Sequence, residues 1–552
     1  MILSSQILER ILERVLKLPP AQTRDVVVRK ELQVPMRDGV VLLADHYAPR
    51  GAEGRLPTVL IRGPYGQRGG GYFFGRTIAE RGYQLLLQGV RGTDGSGGDF
   101  DPFRQERDDG LDTLRWIEAQ PWYSGDLLTF GASYLGFTQW AMAAGAGEGL
   151  RAMSVQVAFS DFYEAVYPGG AFALQTFMGW TNLMSNPSVL AMLARTVTGD
   201  RKFKRALDRL PLHEIDEVAT GRKAPYYQQW LEHDAPDDSW WASTRHGDAV
   251  AEVSAPVHLL GGWYDFFLPH TMRDYRALRN AGKRPYLTIG PWHHSSFAWT
   301  GVALNEALAF FDAHAKGERS RLRDQPVRVY VTGADEWRCY PDFPPPDTRV
   351  ERWYLHNGGR LAPELAAPSQ PDRYRYDPAD PTPSIGGPLL AGPGLNVKAG
   401  PVDNPKLERR PDVLLYTSDP LARDLEVIGT VAAELLVRSS LGHTDFFARL
   451  CDVHPSGKSI NVCDAILRVA PGRIGLEADG TLRLRIELWP TAHRFKRNHR
   501  LRLQVSSGAH PRYARNTGSG EPLATATKLV PADQEIFHDP EHRSSVILTV
   551  LN

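Results

Sequence analysis

The chain has 552 residues, which is enough for two or three domains with a large core. Its 64 basic residues balance its 64 acidic residues, so the composition gives no sign of a nucleic-acid-binding surface. Its three cysteines, Cys339, Cys451 and Cys463, are too few for a disulfide framework and lack metal-ligand spacing, so we expect a cytoplasmic protein without a metal or another cofactor.

The N-terminal residues repeat apolar side chains at helical spacing. These apolar residues are Ile7, Leu8, Ile11, Leu12, Val15 and Leu16. Charged residues between them exclude a secretory leader, and no apolar run reaches the roughly 18 residues that a membrane span needs. The pattern predicts an amphipathic helix packed on the body of the protein. A contact between two copies of the chain through this helix is the alternative.

Strands and helices alternate after this helix. Residues 26–34 and 40–48 alternate apolar and polar around a turn, which predicts an opening hairpin. Apolar runs at 58–61, 83–88 and 127–130 read as strands, with helical patterns around 77–81 and 108–120. This alternation predicts a parallel sheet with helices between its strands.

Residues 131–136 read G-A-S-Y-L-G between an apolar strand and a helical run. A G-x-S-x-G pattern in this context is typical of the nucleophile elbow of an α/β-hydrolase. The two glycines leave the tight turn room to close, so Ser133 presents its hydroxyl above the sheet. The Tyr134 N–H then lies at the helix N-terminus, where it can donate to an oxyanion. An ordinary turn serine is the alternative.

After about residue 155 the sequence pattern changes twice. Aromatic residues and helix formers dominate from about 155 to 245, which predicts a helical cap inserted over the site. The alternation returns with predicted strands at 257–261 and 285–289 and helices at 272–281 and 303–314. The proline-rich residues 341–346 mark a domain edge, and short alternating segments follow. Those segments cover 350–355, 430–437, 445–453, 461–469, 482–488, 500–505 and 545–550.

These patterns predict an α/β-hydrolase fold with three parts. The hydrolase core takes residues 1–154 and 249–348, and the helical cap takes residues 155–248. Residues 349–552 form a β-sandwich of jelly-roll type, because helical periodicity is nearly absent there.

A serine nucleophile needs a base and an orienting carboxylate, which follow it along the chain in this fold as Asp or Glu and then His. Asp265 ends an apolar strand at a turn, although an aspartate there can also cap the next helix. The next strand ends in a Gly-Pro turn that presents both His293 and His294, and position alone does not choose between them. The Tyr65 hydroxyl is a candidate second oxyanion donor, with a routine loop aromatic as its alternative.

Seven segments together resemble one family. They are residues 62–65 (R-G-P-Y), 90–100 (V-R-G-T-D-G-S-G-G-D-F), 131–136, 262–265 (G-W-Y-D), 290–294 (G-P-W-H-H), 444–450 (T-D-F-F-A-R-L) and 459–464 (S-I-N-V-C-D). Over nearly the whole chain, the sequence resembles the CocE/NonD group of serine hydrolases, which includes cocaine esterase, acylases, α-amino-acid ester hydrolases and X-prolyl dipeptidyl peptidases. The resemblance implies a hydrolase core, a cap and a jelly roll. It also implies a catalytic triad of Ser133, Asp265 and His294, with Tyr65 and the Tyr134 N–H as the oxyanion hole.

One departure from the family bears on the substrate. The α-amino-acid ester hydrolases carry carboxylates just after the catalytic aspartate, where this chain has Phe266, Phe267 and Leu268. An ammonium group would be poorly stabilised there, so we expect an apolar or aromatic acyl pocket, in which we also place Trp263. In the cap, Asp161 and Glu164 remain candidates for a cation site.

The function predicted is hydrolysis of a small carboxylic ester, or of an amide, through an acyl-enzyme. An acylase or an X-prolyl dipeptidyl peptidase acting on amide bonds is the first alternative. A carbohydrate-binding jelly-roll protein with an inactive hydrolase domain is the alternative from another class.

Overall fold

The computed structural model describes residues 5–51, 56–66, 70–185, 201–392, 395 and 397–552. In this part of the chain, a ten-stranded sheet and a twelve-stranded sheet form the framework. The helices are α1 (Ser5–Val15), α2 (Gly70–Ala79), α3 (Glu106–Glu118), α4 (Tyr134–Ala143), α5 (Phe162–Val166), α6 (Leu174–Ser185), α7 (201–207), α8 (Ile215–Thr220), α9 (Pro225–Glu232), α10 (Leu268–Asn280) and α11 (Ala298–Ala315).

The first sheet is the hydrolase sheet. Its strands are β1 (Val26–Pro35), β2 (Val41–Pro49), β3 (Thr58–Gly63), β4 (Gln84–Gly89), β5 (Leu127–Ala132), β6 (Leu150–Gln156), β7 (Val257–Tyr264), β8 (Tyr286–His293), β9 (Val327–Val331) and β10 (Glu336–Tyr340). They lie in the order β1-β2-β4-β3-β5-β6-β7-β8-β9-β10. The strands from β4 to β9 are parallel, and the predicted hairpin is confirmed as the antiparallel pair β1 and β2.

The order of the strands locates the site. The chain runs from β3 to β4 on one side and then returns to place β5 on the other side of β3. Such a reversal opens a crevice at the carboxyl ends of the strands, where ligands bind in open α/β sheets. Strand β5 leads into Ser133, and β7 and β8 end beside Asp265 and His294.

Helices α5 to α9 lie between β6 and β7 in the sequence, within the predicted cap. Residues 186–200 of that prediction lie outside the described residues. Large aromatic side chains, including Phe162, Trp230 and Trp241, are buried in one apolar cluster with Phe137 of α4 and Phe159. The cap therefore shares a core with the elbow helix.

The second sheet forms the jelly-roll domain. Its strands are β11 (Thr348–His356), β12 (Arg360–Ala362), β13 (Asp372–Tyr376), β14 (Leu414–Thr417), β15 (Leu425–Ser439), β16 (Thr444–Val453), β17 (Ser459–Val469), β18 (Leu482–Glu487), β19 (Thr491–Phe495), β20 (Arg500–Ser506), β21 (Ala532–Phe537) and β22 (Ser545–Leu551). Arg449 lies directly opposite Asp464 in the β16–β17 ladder, and the two side chains form a buried ion pair at 2.8 Å. Two of the segments that carry the family resemblance therefore meet across one hairpin.

The N-terminal helix packs on the hydrolase core at its C-terminal end. Leu16 joins a buried apolar cluster, and its carbonyl accepts a hydrogen bond from Asn305 of α11 at 3.0 Å. Ile11 and Val15 are exposed, and the possibility that this helix joins two copies of the chain stays a prediction. Within the described ranges, no helix combines the length and apolar character needed to cross a bilayer.

Most predicted elements are longer in the structure than the sequence pattern indicated. Four elements end earlier than predicted: α2 stops at Ala79 instead of 81, α3 at Glu118 instead of 120, α10 at Asn280 instead of 281, and β18 at Glu487 instead of 488. The prediction missed the short strands β9, β10, β12, β13, β14, β19 and β21. All of these except β21 have five residues or fewer, which gives a period-of-two pattern too few positions to stand out from a loop.

Candidate active site

Ser133 lies on a sharp turn between β5 and α4. Its backbone has φ 58° and ψ −122°, which a residue with a side chain rarely adopts. The turn needs small neighbours, because a Cβ on Gly131 would lie 2.4 Å from the Leu135 Cβ. A Cβ on Gly136 would lie 2.3 Å from the Ala158 Cβ. This is the geometry of a nucleophile elbow.

The structure brings Ser133, His294 and Asp265 together. The Nε2 atom of His294 lies 3.1 Å from the Ser133 Oγ, and its Nδ1 lies 2.9 Å from the Asp265 Oδ1. Asp265 is fully buried, and the same Oδ1 accepts the Phe267 N–H at 3.2 Å. Asp265 therefore shapes the turn before α10 as well as holding the imidazole.

His293 takes no part in this chain of hydrogen bonds. Side chains alternate along a strand, so the last residue of β8 and the residue after it point in different directions. The Nδ1 atom of His293 is buried without a hydrogen-bond partner in the described part of the chain. Burial lowers the pKa of His293, and His294 lowers it further.

Tyr65 faces Ser133 from the loop after β3. Its hydroxyl accepts a hydrogen bond from the Trp180 indole N–H at 3.2 Å and lies beside the Ser133 side chain. Although 43% of Tyr65 is exposed, the residue lines the cavity rather than the outer surface. Burial raises the pKa of Tyr65, against the opposing effects of Trp180 and Ser133. The phenol keeps its proton at neutral pH and can donate it.

The Tyr134 N–H belongs to the first turn of α4, where a helix leaves its N–H groups without intrahelical partners. Two hydrogen bonds hold the Tyr134 side chain in place. Its hydroxyl donates to the Glu106 carboxylate at 2.7 Å and accepts the Phe103 N–H at 3.0 Å. Glu106 in turn forms a buried ion pair with Arg62 at 3.1 Å. This network fixes the Tyr134 side chain at the start of α4.

A cavity of about 400 Å³ opens above Ser133. It is lined mainly by apolar side chains from the hydrolase core, the cap and the jelly-roll domain. Examples from the three parts are Phe130, Phe177 and Leu390. Among the described lining residues, Asp94 is the one carboxylate.

Phe266 and Phe267 line this cavity beside His294. Phe266 stacks on His294 with ring centroids 4.3 Å apart, and Phe267 meets the same ring edge-on at 5.3 Å. Phe267 also packs on Phe159 at the base of the cap. The two side chains restrict the imidazole and make the adjacent part of the cavity apolar.

Three other predicted pocket residues lie elsewhere, so that part of the prediction is corrected. Trp263 is buried in the core, where its indole N–H donates to the Tyr330 carbonyl at 2.7 Å. Asp161 caps α5 by accepting the Glu164 N–H at 3.2 Å, and Glu164 forms an ion pair with Arg273. Neither carboxylate is among the residues that line the cavity, because these contacts direct them toward their own helix and α10.

Trp180 and Leu390 are pocket residues that the sequence prediction missed. Trp180 lies on α6 in the cap, and Leu390 belongs to the jelly-roll part of the chain. Neither residue lies in a sequence motif that would mark it as part of the pocket. Arg62 belongs to the R-G-P-Y segment, which carries part of the family resemblance. The sequence did not identify Glu106 as the residue that forms an ion pair with it.

Two family models divide the chain. The model described as X-Pro dipeptidyl-peptidase (S15 family) matches residues 38–296. The model described as X-Pro dipeptidyl-peptidase C-terminal non-catalytic domain matches residues 322–547.

Relatives match over almost the full length. Cocaine esterase from Rhodococcus sp. (strain MB1 Bresler) is 34% identical, over 95% of this chain and 98% of its own. The structure of an α-amino acid ester hydrolase is similar with a TM-score of 0.81 and 24% identity, covering 97% of this chain and 98% of that one. An aminopeptidase from a marine-sediment Thaumarchaeota archaeon gives a TM-score of 0.80 at 23% identity, with the same coverage. The chain therefore belongs to the CocE/NonD hydrolases of the S15 serine peptidase and esterase family.

Proposed function

We propose that this protein is a serine esterase that cleaves small carboxylic esters with apolar or aromatic acyl groups through an acyl-enzyme. The observation that carries the proposal is the hydrogen-bonded chain Ser133–His294–Asp265, with distances of 3.1 and 2.9 Å, at an apolar cavity. The kinship with a cocaine esterase supports an ester as the substrate.

The residues suit two-step acyl transfer. His294 takes the proton of Ser133 as the Oγ attacks the carbonyl carbon, and the carbonyl electron pair moves to the oxygen. Tyr65 O–H and Tyr134 N–H donate to that oxyanion, and Asp265 stabilises the imidazolium. The C–O bond to the alcohol then breaks, and His294 protonates the leaving oxygen. Water repeats the sequence on the acyl-enzyme, releasing the acid and free Ser133.

Replacing the nucleophile tests the triad. Ser133→Ala should lower kcat for a p-nitrophenyl ester by about 10⁶-fold, since removing the nucleophile disables the whole unit. It should also abolish covalent labelling by a fluorophosphonate probe, with an unchanged thermal melt. Ser124→Ala, in the loop before β5, is the matched control and should keep full activity and labelling. Labelling of the Ser133→Ala protein would remove Ser133 from the proposed role.

The apolar surroundings of the base predict the acyl preference. Because Phe266 and Phe267 pack on His294, an α-ammonium group near them would lose its hydration without gaining a counter-ion. We therefore expect α-amino esters to be hydrolysed no faster than their des-amino analogues, as judged by kcat/KM. A preference above about tenfold for the free amine would contradict the apolar pocket. Asp94→Asn would then show whether that carboxylate holds the ammonium group.

An X-prolyl dipeptidyl peptidase is the second candidate, because the matching family models carry that description. A peptidase of this type must anchor the free N-terminus of a peptide. Turnover of an X-Pro-p-nitroanilide faster than that of p-nitrophenyl esters would favour the peptidase. Slower turnover, with Ser133 labelled by the probe, would favour the esterase.

We also infer that the enzyme works in the cytoplasm. The support is that Cys339, Cys451 and Cys463 are all free thiols, which suits a reducing compartment. Fractionation of the native cells with an antibody to the chain would test this location.

A further inference from the structure

A cluster of one aspartate and three histidines lies in the jelly-roll domain, far along the chain from Ser133. Asp452 is near the end of β16, and His454 follows that strand. His499 immediately precedes β20, and His493 lies in β19. Asp452 is buried, His493 and His499 are nearly so, and 37% of the His454 side chain is exposed.

The sheet register explains why these residues meet. In the antiparallel ladder of β16 and β20, Asp452 lies opposite Leu501, and Val453 lies opposite Arg500. The next position along this register sets His454 against His499. Because side chains alternate along a strand, Asp452 and His454 share one face. The rings of His454 and His499 have centroids 4.5 Å apart.

The distances match the ligand shell of a metal ion. The Asp452 Oδ2 lies 3.1 Å from the His499 Nδ1 and 3.6 Å from the His454 Nε2. A tetrahedral Zn²⁺ with bonds of about 2.0–2.1 Å keeps its ligand atoms about 3.3 Å apart. One ligand atom from each of these three residues lies within 4.8 Å of the others.

Hydrogen bonding within the protein explains only part of this arrangement. The Asp452 carboxylate accepts from His499 at 2.8 Å and contacts the His493 Nε2 at 3.3 Å. At 3.6 Å, the His454 Nε2 is beyond hydrogen-bond distance from that carboxylate. A ring nitrogen directed toward a carboxylate and a second imidazole, without bonding to either, has the position of a metal ligand.

His493 supplies the support that metal ligands commonly have. Its Nδ1 lies 2.8 Å from the Thr332 hydroxyl, and its Nε2 lies 3.3 Å from the Asp452 carboxylate. Metal-binding carboxylates are usually held by such outer hydrogen bonds. Thr332 follows β9, so this contact also connects the cluster to the hydrolase sheet.

We propose that Asp452, His454 and His499 bind one divalent transition-metal ion of the Zn²⁺ type, with His493 orienting the carboxylate. Two imidazoles and a carboxylate are a usual donor set for such an ion, and a water molecule completes its shell. The ion ties the end of β16 to the start of β20. Its role is structural, because none of these residues is among those that line the cavity above Ser133.

The test is metal binding by the full, tag-free chain after chelator treatment and dialysis at pH 7.5. Calorimetric titration with Zn²⁺ should show one ion per chain, and Co²⁺ should give the visible absorption bands of a tetrahedral site. Asp452→Asn and His454→Ala should each weaken Zn²⁺ binding by more than about 100-fold, and His493→Ala by about 10–100-fold. His454 is the most exposed of the ligands, so His454→Ala is the variant best able to fold normally.

His356→Ala is the matched control, since the side chain of this half-buried histidine of β11 bonds only to the Glu364 carbonyl in the described structure. It should bind Zn²⁺ as the parent protein does. Ester hydrolysis by the His454→Ala protein should be unchanged. The proposal is overturned if the parent chain binds Zn²⁺ no more tightly than the Asp452→Asn, His454→Ala double variant. Equal loss of binding in the His356→Ala control would overturn it as well.

Discussion

Ser133 holds a backbone conformation that costs on the order of 1–3 kcal/mol for a residue with a side chain. The cost is tolerated because β5 and α4 on either side of it are buried. The same turn aims the Oγ at His294 and leaves the Tyr134 N–H at the start of the helix. The strained turn at Ser133 therefore positions both the proposed nucleophile and one proposed oxyanion donor, the Tyr134 N–H.

Tyr65→Phe tests the oxyanion hole at this scale. Removing one true oxyanion donor should lower kcat by about 10²–10³-fold, with a much smaller change in KM, because the bond forms fully only in the transition state. The measurement is steady-state hydrolysis of a p-nitrophenyl ester. Trp180→Phe removes the indole donor but leaves the phenol proton, so it should cost less than about tenfold. A loss below threefold in Tyr65→Phe would exclude the hydroxyl from the site.

Helix α10 connects the turn that carries Asp265 to the base of the cap. It begins directly after Phe267, and its Asp274 accepts the Ser160 hydroxyl at 2.6 Å beneath the cap. Arg273, beside it, donates to the same Ser160 oxygen at 2.9 Å. Burial raises the pKa of Asp274 to about 7, although Arg273 and Ser160 oppose the rise. Helix α10 therefore carries a carboxyl group that holds its proton more tightly than an ordinary aspartic acid does.

This shift has a defined effect on stability. The ordinary pKa of 3.8 in the unfolded chain is below the folded value of about 7, so the folded state binds the proton more tightly. The resulting stabilisation is complete below about pH 4 and is lost as pH rises through 7. Asp274→Asn, which mimics the protonated form, should become more stable than the parent by about 2–4 kcal/mol as pH rises from 4 to 8.

Thermal melts at pH 5, 6, 7 and 8 measure this difference. Glu118→Gln, an exposed substitution at the end of α3, is the control and should follow the parent at every pH. A difference in Tm between Asp274→Asn and the parent that is the same at pH 5 and pH 8 would contradict the raised pKa.

At the scale of the whole molecule, the domains share their cores. One buried apolar cluster in the described structure includes Leu287 and Ile289 of the hydrolase sheet together with Val427 and Leu503 of the jelly roll. The cap also bonds to the C-terminal part, since the Gln175 amide donates to the Leu390 carbonyl at 2.7 Å. The cavity is complete only when all three parts are assembled.

We expect a single cooperative unfolding transition as a consequence. Leu503→Ala, in the jelly roll, should cost about 2–5 kcal/mol and lower the temperature at which esterase activity is lost, although it is outside the cavity. Calorimetry and residual activity after heating are the measurements. Val350→Ala, at an exposed site of β11, is the control and should leave both unchanged. Two separate transitions, with activity following only the first, would contradict a shared core.

Local patterns in the sequence were enough to predict the class of the fold and the elbow. Three features depend only on residues that are close together in the sequence: the alternation of strands and helices, the G-x-S-x-G spacing and the turn residues. They can therefore be recognised without knowing the fold. The residues alone narrowed the base to His293 or His294, and the family resemblance chose between them.

Contacts between distant residues were decided only by the tertiary structure. Trp180 reaches Tyr65 from the cap, Leu390 enters the cavity from the jelly roll, and Trp263 turns into the core although it is near Asp265 in sequence. Asp452 and His499 come together because of the register between β16 and β20. Nothing in the sequence near either residue indicates this pairing. Sequence spacing determines which face of an element a side chain occupies, whereas the packing of whole elements determines what that face meets.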